Sequence, residues 1–193
     1  MSVRRRASLG DPRLKAINKE VTDFGDKRVT KVIGDLIDTM HAVDLIGVAA
    51  PQIGENWQIF VTEPRRTAAR PGDQTDELRV YINPKIVYLS EDKSIIYEGG
   101  GSVPGNIFGP VERPKLVVVE AYDRDGQKFQ MKADGILGRV IQHEMDHLLG
   151  VEYIEKVQDY RKLLNKRYYY KNIKYSSLQT QASIITIREF TKL

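Results

Sequence analysis

From Gly135 to Leu149 the chain switches to a helical period through Ile136, Leu137, Val140, Ile141 and Leu148, and it stops at Gly150, a residue suited to a C-cap. His143 and His147 fall on the apolar side of that helix, about 40° apart around the axis and one turn apart along it. Ile136 and Val140 share their face. An imidazole pair in an apolar stripe needs partners, because unpaired buried polar groups are costly. Two readings are open: core histidines bonded to backbone carbonyls, or two ligands of one metal ion. Under the second, Glu144 projects to the side, where a carboxylate can shuttle a proton from water acidified by the metal. Either way the helix belongs at the centre of the fold.

Around it the pattern is mixed. Apolar residues at three- and four-residue steps from Asp26 to Asp44 predict a first amphipathic helix. Leu45–Gly54 (LIGVAAPQIG) reads as a loop, with glycines and a proline that suit close backbone approach. Trp57–Thr62, Arg79–Asn83, Lys85–Leu89 and Ser94–Tyr97 read as short strands, with a polar loop over Pro64–Glu77. Glu98–Gly109 holds five glycines in twelve residues, which predicts irregular backbone wanted near a ligand. Leu116–Tyr122 and Lys128–Ala133 flank an Asp-Gly turn and predict a hairpin. The fold class is α+β, with antiparallel sheets around a central helix.

Length and composition narrow the function. At roughly 100–200 residues per domain, 193 residues predict one domain over 1–160 and a basic extension over 161–193 that is not a second domain. No apolar run nears the ~18 residues that span a bilayer, and Met1–Pro12 lacks a signal-like apolar segment, so a cytoplasmic or organellar-matrix address is expected. The chain has no cysteine, which excludes disulfides, thiolate nucleophiles and metal sites that rely on sulfur. The net charge of +4 is a mild excess, concentrated at Arg4-Arg5-Arg6 and at Arg161, Lys162, Lys166, Arg167, Lys171 and Lys174. Neither membrane nor DNA is an expected partner.

Three stretches, LIGVAAPQIG (Leu45–Gly54), EGGGSVPG (Glu98–Gly105) and QHEMDHLLG (Gln142–Gly150), resemble in order and spacing the three motifs of peptide deformylases. The resemblance runs from Gly10 to about Tyr160. It implies a deformylase-like α+β fold and hydrolysis of the N-formyl group from N-formylmethionyl peptides by an enzyme holding one divalent metal, Fe²⁺ or Zn²⁺. It implies His143 and His147 as metal ligands, Glu144 as the proton carrier, and Gln52 and the Gly101 N–H as donors to the developing oxyanion. It implies peptide pairing by strand addition at Ile46, Gly47 and Gly99, and a methionine pocket lined partly by Ile136 and Val140. It also implies that Asp146 pairs with Arg113, and that a C-terminal basic helix over Asp159–Lys174 docks on the ribosome. Ala182–Phe190 reads as an added edge strand or dimer contact.

The chain departs from the family at one decisive place. The family's second motif carries a cysteine as third metal ligand, and Gly100 stands there. Gly101 replaces a larger residue, usually leucine, and Leu45 stands where the family usually has glycine. Two readings remain: a weakly metallated deformylase, in which waters or Glu98 complete the site, or an inactive homologue that binds formylated or methionyl N-termini near the ribosome. A zincin endopeptidase is a third class, but Tyr153 stands where that pattern needs a histidine.

Overall fold

In the computed structural model, which describes residues 2–67, 72 and 74–193, the first helical period forms α1 (Lys27–Ala42), opened by Asp26, whose side chain accepts from the Arg28 N–H. It is followed by β1 (Gly47–Ala49), β2 (Ile59–Thr62) and β3 (Arg79–Leu89), then by β4 (Lys93–Glu98), β5 (Ile107–Pro114) and the hairpin of β6 (Val117–Tyr122) and β7 (Lys128–Ala133). The histidine-bearing helix α2 (Gly135–Leu148) precedes β8 (Leu164–Asn165), α3 (Lys166–Asn172), α4 (Ser177–Gln181) and β9 (Arg188–Lys192). A six-stranded sheet has the order β1-β2-β3-β6-β7-β9 and a three-stranded sheet the order β4-β5-β8, with antiparallel pairing throughout.

Side-chain alternation in the large sheet builds two cores. Ile59, Val61, Val80 and Ile82 face α1, packing against Val32, Leu36 and Met40. Their neighbours Phe60 and Tyr81 face the other way, against Leu137, Val140, Ile141 and Met145 of α2. Buried on both faces, β2 needs a continuous apolar run rather than an alternating one, which Ile59-Phe60-Val61 supplies. The sheet therefore lies between the two long helices, and α2 is central as expected.

Several expectations are corrected. Leu45–Gly54 is not wholly a loop: it contains β1 and a 3-10 turn over Ala50–Ile53, because Gly47–Ala49 pair with β2 and bury all three residues. The two runs from Arg79 to Leu89 are one strand with two register shifts against β6, the first between Ile82 and Lys85. Asn83 takes positive φ there, and its side chain clamps the N–H and C=O of Val21, each at 2.8 Å. The glycine-rich run ends earlier than expected, since Phe108 and Gly109 lie within β5. Gly109 is a glycine because Val157 and Leu163 pack onto it, where a Cβ would come within 2.6 Å of Val157 Cγ2.

Asp159–Lys174 is not a single basic helix. Leu164 and Asn165 pair with β5 as a strand, and Asn165 then caps α3 by accepting from the Tyr168 N–H. The last strand is Arg188–Lys192, at the edge beside β7. Its approach, through Thr186 and Ile187, is held by the Asp134 carboxylate, which accepts from both backbone N–H groups. The expected polar loop at Pro64–Glu77 lies partly outside the described residues. Among the described residues no helix is long and apolar enough to cross a membrane.

Candidate active site

Two open strand edges flank α2. β1 is the last strand of the large sheet, and β4 the last of the small one. At Gly47 the β1 backbone passes so close to α2 that a Cβ would lie 2.5 Å from both Glu144 Oε1 and Val140 Cγ2. Only glycine allows that approach, so the first motif and the helix motif meet there. At the end of β4, the Glu98 carboxylate accepts from His143 Nδ1 at 2.9 Å, which leaves the other ring nitrogen, Nε2, for a ligand. The His143 and His147 rings lie 4.9 Å apart, centroid to centroid.

Glu98 anchors a buried ion network. It accepts from Arg113 Nε and Nη2 at 2.7 and 2.9 Å and from Arg139 Nη1 at 3.0 Å, while Arg113 Nη1 reaches Asp146 at 2.6 Å. The expected Arg113–Asp146 pair is therefore present. Burial alone would raise the Glu98 carboxyl, but the two-point contact with Arg113 and the bond to His143 outweigh it and hold the group well below the ordinary carboxylate range. Burial likewise acts to lower the His143 imidazolium, yet Glu98 and Glu144 carry it above its ordinary value. Glu98 is held by two arginines, so turning it onto a metal would break its contacts with Arg113 and Arg139.

Glu144 is buried, and among the described residues its Oε2 has no hydrogen-bond partner. Burial pushes its carboxyl above the ordinary value, against the pull of His143 and His147, which makes the carboxylate a stronger base. His147 Nε2 is buried and unpartnered too. Such orphans are rare in folded proteins, and their donor chemistry suits a cation and its water. Gly100 faces the same space: a Cβ there would lie 3.8 Å from His143 Nε2 and 3.0 Å from Tyr153 Cδ1. The chain thus offers two ring nitrogens and, at the third position, no donor atom. Among the described residues no three histidine, cysteine, aspartate or glutamate side chains form a metal-holding group.

Gln52 sits in the 3-10 turn, buried, with Oε1 accepting from the Ala49 N–H at 2.8 Å. That bond fixes which end of the amide is oxygen and leaves Nε2 as an uncommitted donor. The Gly101 N–H has no acceptor among the described residues. Its Cβ position would meet Leu45 Cδ1 at 3.2 Å and Arg6 Nη1 at 2.6 Å. A side chain at 101 would meet Arg6 first and Leu45 next, so these two share the room that it would take. Ile136 and Val140 are both buried on α2.

Two residues escaped sequence reasoning. Arg139 lies one turn before His143 on α2, and a lone cation on an apolar helix face was the available sign that a buried carboxylate had to meet it. Glu152 is 1 % exposed, and its Oε1 lies 3.2 Å from His147 Nδ1, an ion-pair contact without hydrogen-bond alignment. Its sign was an acid inside the apolar run Val-Glu-Tyr-Ile.

Residues 3–163 match the family of polypeptide deformylases. A peptide deformylase of Saccharophagus degradans is 39% identical over 163 residues, covering 82% of this chain and 90% of the relative. A Met-Ala-Ser-bound class I type b peptide deformylase from Acinetobacter baumannii superposes with a TM-score of 0.77 at 27% identity, over 81% of this chain and 99% of that one. The Thermotoga maritima peptide deformylase does so at 0.73 and 33% identity, over 82% of this chain and all of the other. With the match spanning all three motifs, and those motifs gathered around one central helix, this chain belongs to the polypeptide deformylase family of metal-dependent hydrolases.

Proposed function

We propose that this chain removes the N-formyl group from N-formylmethionyl peptides, with Glu144 as proton carrier and His143 and His147 as ligands of an Fe²⁺ or Zn²⁺ ion. The observation that carries this reading is the pair of buried, unpartnered atoms, Glu144 Oε2 and His147 Nε2, set between two open strand edges. A bound divalent ion would supply Lewis acidity and lower the pKa of water. Glu144 accepts a proton from water as the water oxygen bonds to the formyl carbon, then passes it to the departing amine as the formyl C–N bond breaks, giving formate and a free methionyl N-terminus. Gln52 Nε2 and the Gly101 N–H donate to the formyl oxygen as it gains charge. Ile46, Gly47 and Gly99 pair with the peptide backbone, and Ile136 and Val140 line the methionine pocket. The Met-Ala-Ser complex of the Acinetobacter baumannii relative supports such a groove. The exposed cations Arg161, Lys162, Lys166, Arg167 and Lys171 suit a phosphate-rich surface such as the ribosome, where these peptides emerge in a cytoplasm or organellar matrix.

Glu144→Gln keeps the size and polarity of the side chain but cannot take a proton. Formate release from a formyl-methionyl tripeptide falls at least about a hundredfold while peptide affinity is retained; equal turnover by the two proteins would remove Glu144 from the mechanism. Glu152 takes part through its 3.2 Å contact with His147 Nδ1. Glu152→Leu weakens Zn²⁺ binding about 10- to 100-fold in a chelator competition. The melting temperature of the metal-free protein stays level or rises, because a buried carboxyl without aligned partners is removed. Unchanged zinc affinity would assign Glu152 to packing alone. Gly100 favours one second reading, a metal-free binder of formylated or methionyl N-termini, for which peptide binding without formate release under added metal is the signature.

A further inference from the structure

β4 is bonded to β5 on one side only. Tyr97 stands opposite Pro110, which has no N–H, so the two form a non-hydrogen-bonded pair and Tyr97 turns its own N–H and C=O outward. The next outward groups along the strand belong to Gly99, two residues on. At Gly99 they are open: among the described residues no bond takes its N–H or C=O. At Tyr97 they are taken. Gln179 of α4 accepts from the Tyr97 N–H through Oε1 and donates from Nε2 to the Tyr97 C=O, both at 2.9 Å. One side-chain amide thus does for Tyr97 what a residue of an added strand would do.

The plug is built in. Gln179 is 8% exposed, and its Nε2 also donates to the Tyr169 hydroxyl at 3.3 Å. The Tyr169 ring stacks on Phe108 at 4.0 Å, and Phe108 in turn lies against Gly99, where a Cβ would come within 2.8 Å of it. The segment after β8 therefore closes the β4 edge immediately beyond the place where a peptide would pair.

We propose that Gln179 is a specificity-determining residue that ends the peptide groove at Tyr97. This rests on the reading that the peptide adds to β4 at Gly99. Its reacting end lies at His143 and Glu144, beside Gly100, so its body runs from Gly99 toward Tyr97. The peptide residue due to meet Tyr97 is two beyond the one paired with Gly99, and Gln179 already holds that place. The rest of a nascent chain must turn away from β4, so the enzyme reads only the first few residues and is indifferent to those beyond them.

The test compares the dipeptide Met-Ala with the hexapeptide Met-Ala-Ser-Ala-Ala-Ala, titrated into the full-length protein and into Gln179→Ala. In the unmodified protein the two dissociation constants agree within about twofold. In the variant the hexapeptide binds roughly fivefold tighter or more, the worth of two regained backbone hydrogen bonds, while the dipeptide, which ends short of Tyr97, does not. Amide exchange gives a second readout. The Tyr97 N–H is protected without peptide in the unmodified protein, fast in the variant, and protected again in the variant by the hexapeptide only. A hexapeptide already favoured by the unmodified protein, or no gain in the variant, overturns the role of Gln179 and leaves the groove standing. Binding of neither peptide overturns the groove and this proposal together.

Discussion

A Gly100→Cys variant binds Zn²⁺ at least about a hundredfold more tightly than the parent chain and releases formate faster from a formyl-methionyl tripeptide when metal is supplied. If each of three ligands carries about a third of the ~10–16 kcal/mol of a structural zinc site, a restored thiolate adds several kcal/mol, and each 1.4 kcal/mol is about tenfold in affinity. The geometry allows it. Gly100 does not require positive φ, and its Cβ direction points at the space beside His143 Nε2, 3.8 Å away. The opposing term is steric: Tyr153 Cδ1 lies at 3.0 Å from that Cβ, so the ring must give by a few tenths of an ångström. Tyr153 is held by its hydroxyl bond to the Ile107 C=O, 2.7 Å, and by stacking on His143, so part of the gain is spent moving it. Chelator competition with the two proteins in parallel decides the matter. Equal affinities would mean that position 100 is not part of the metal site.

Glu98→Ala destabilises the protein by about 3–5 kcal/mol, the usual cost of breaking a buried ion network from one side. At about 2–4 °C per kcal/mol for a chain of this size, melting falls by roughly 10 °C. The loss is large because, among the described residues, Glu98 is the only acceptor shared by Arg113, Arg139 and His143, and the first two are themselves buried. Asp146 remains for Arg113, whereas Arg139 keeps only Ser94 and the Val111 C=O. The pH dependence has a definite sign. The folded-state carboxyl of Glu98 titrates below its unfolded value, so its contribution is present above the ordinary carboxylate range and is lost as pH falls through it toward the folded pKa. The gap between parent and variant is therefore widest near neutrality and narrows in acid. A gap that stays constant from neutral pH to about 3 would show that Glu98 acts by packing, not by charge.

Much of the site was legible because its parts are local in the chain. Residues four apart on one helix must share a face, so His143, His147 and the side-on Glu144 needed no tertiary information. The Asp-Gly hairpin, the α1 stripe and the glycine stop of α2 are local in the same sense: each is decided by residues within a few positions of one another. Where the reading failed, a distant partner had overridden local preference. Gly47–Ala49 became a strand because β2 was there to pair with it, and the basic run after Tyr160 broke where Leu164 and Asn165 found β5.

Sequence by itself determined the family, the α+β class and the central helix that carries His143, Glu144 and His147, since motif spacing and helical period are carried by near neighbours. Tertiary structure alone decided how those groups are tuned. It brought Glu98 to His143 across 45 positions and set Glu152 against His147. It placed Arg6 and Leu45 in the room left by Gly101 and carried Gln179 across 82 positions to the edge of Tyr97. Each of these is a contact between segments with no local signal for one another, fixed only when the packing of two sheets against one helix leaves a buried charge, an empty volume or an open strand edge to be satisfied.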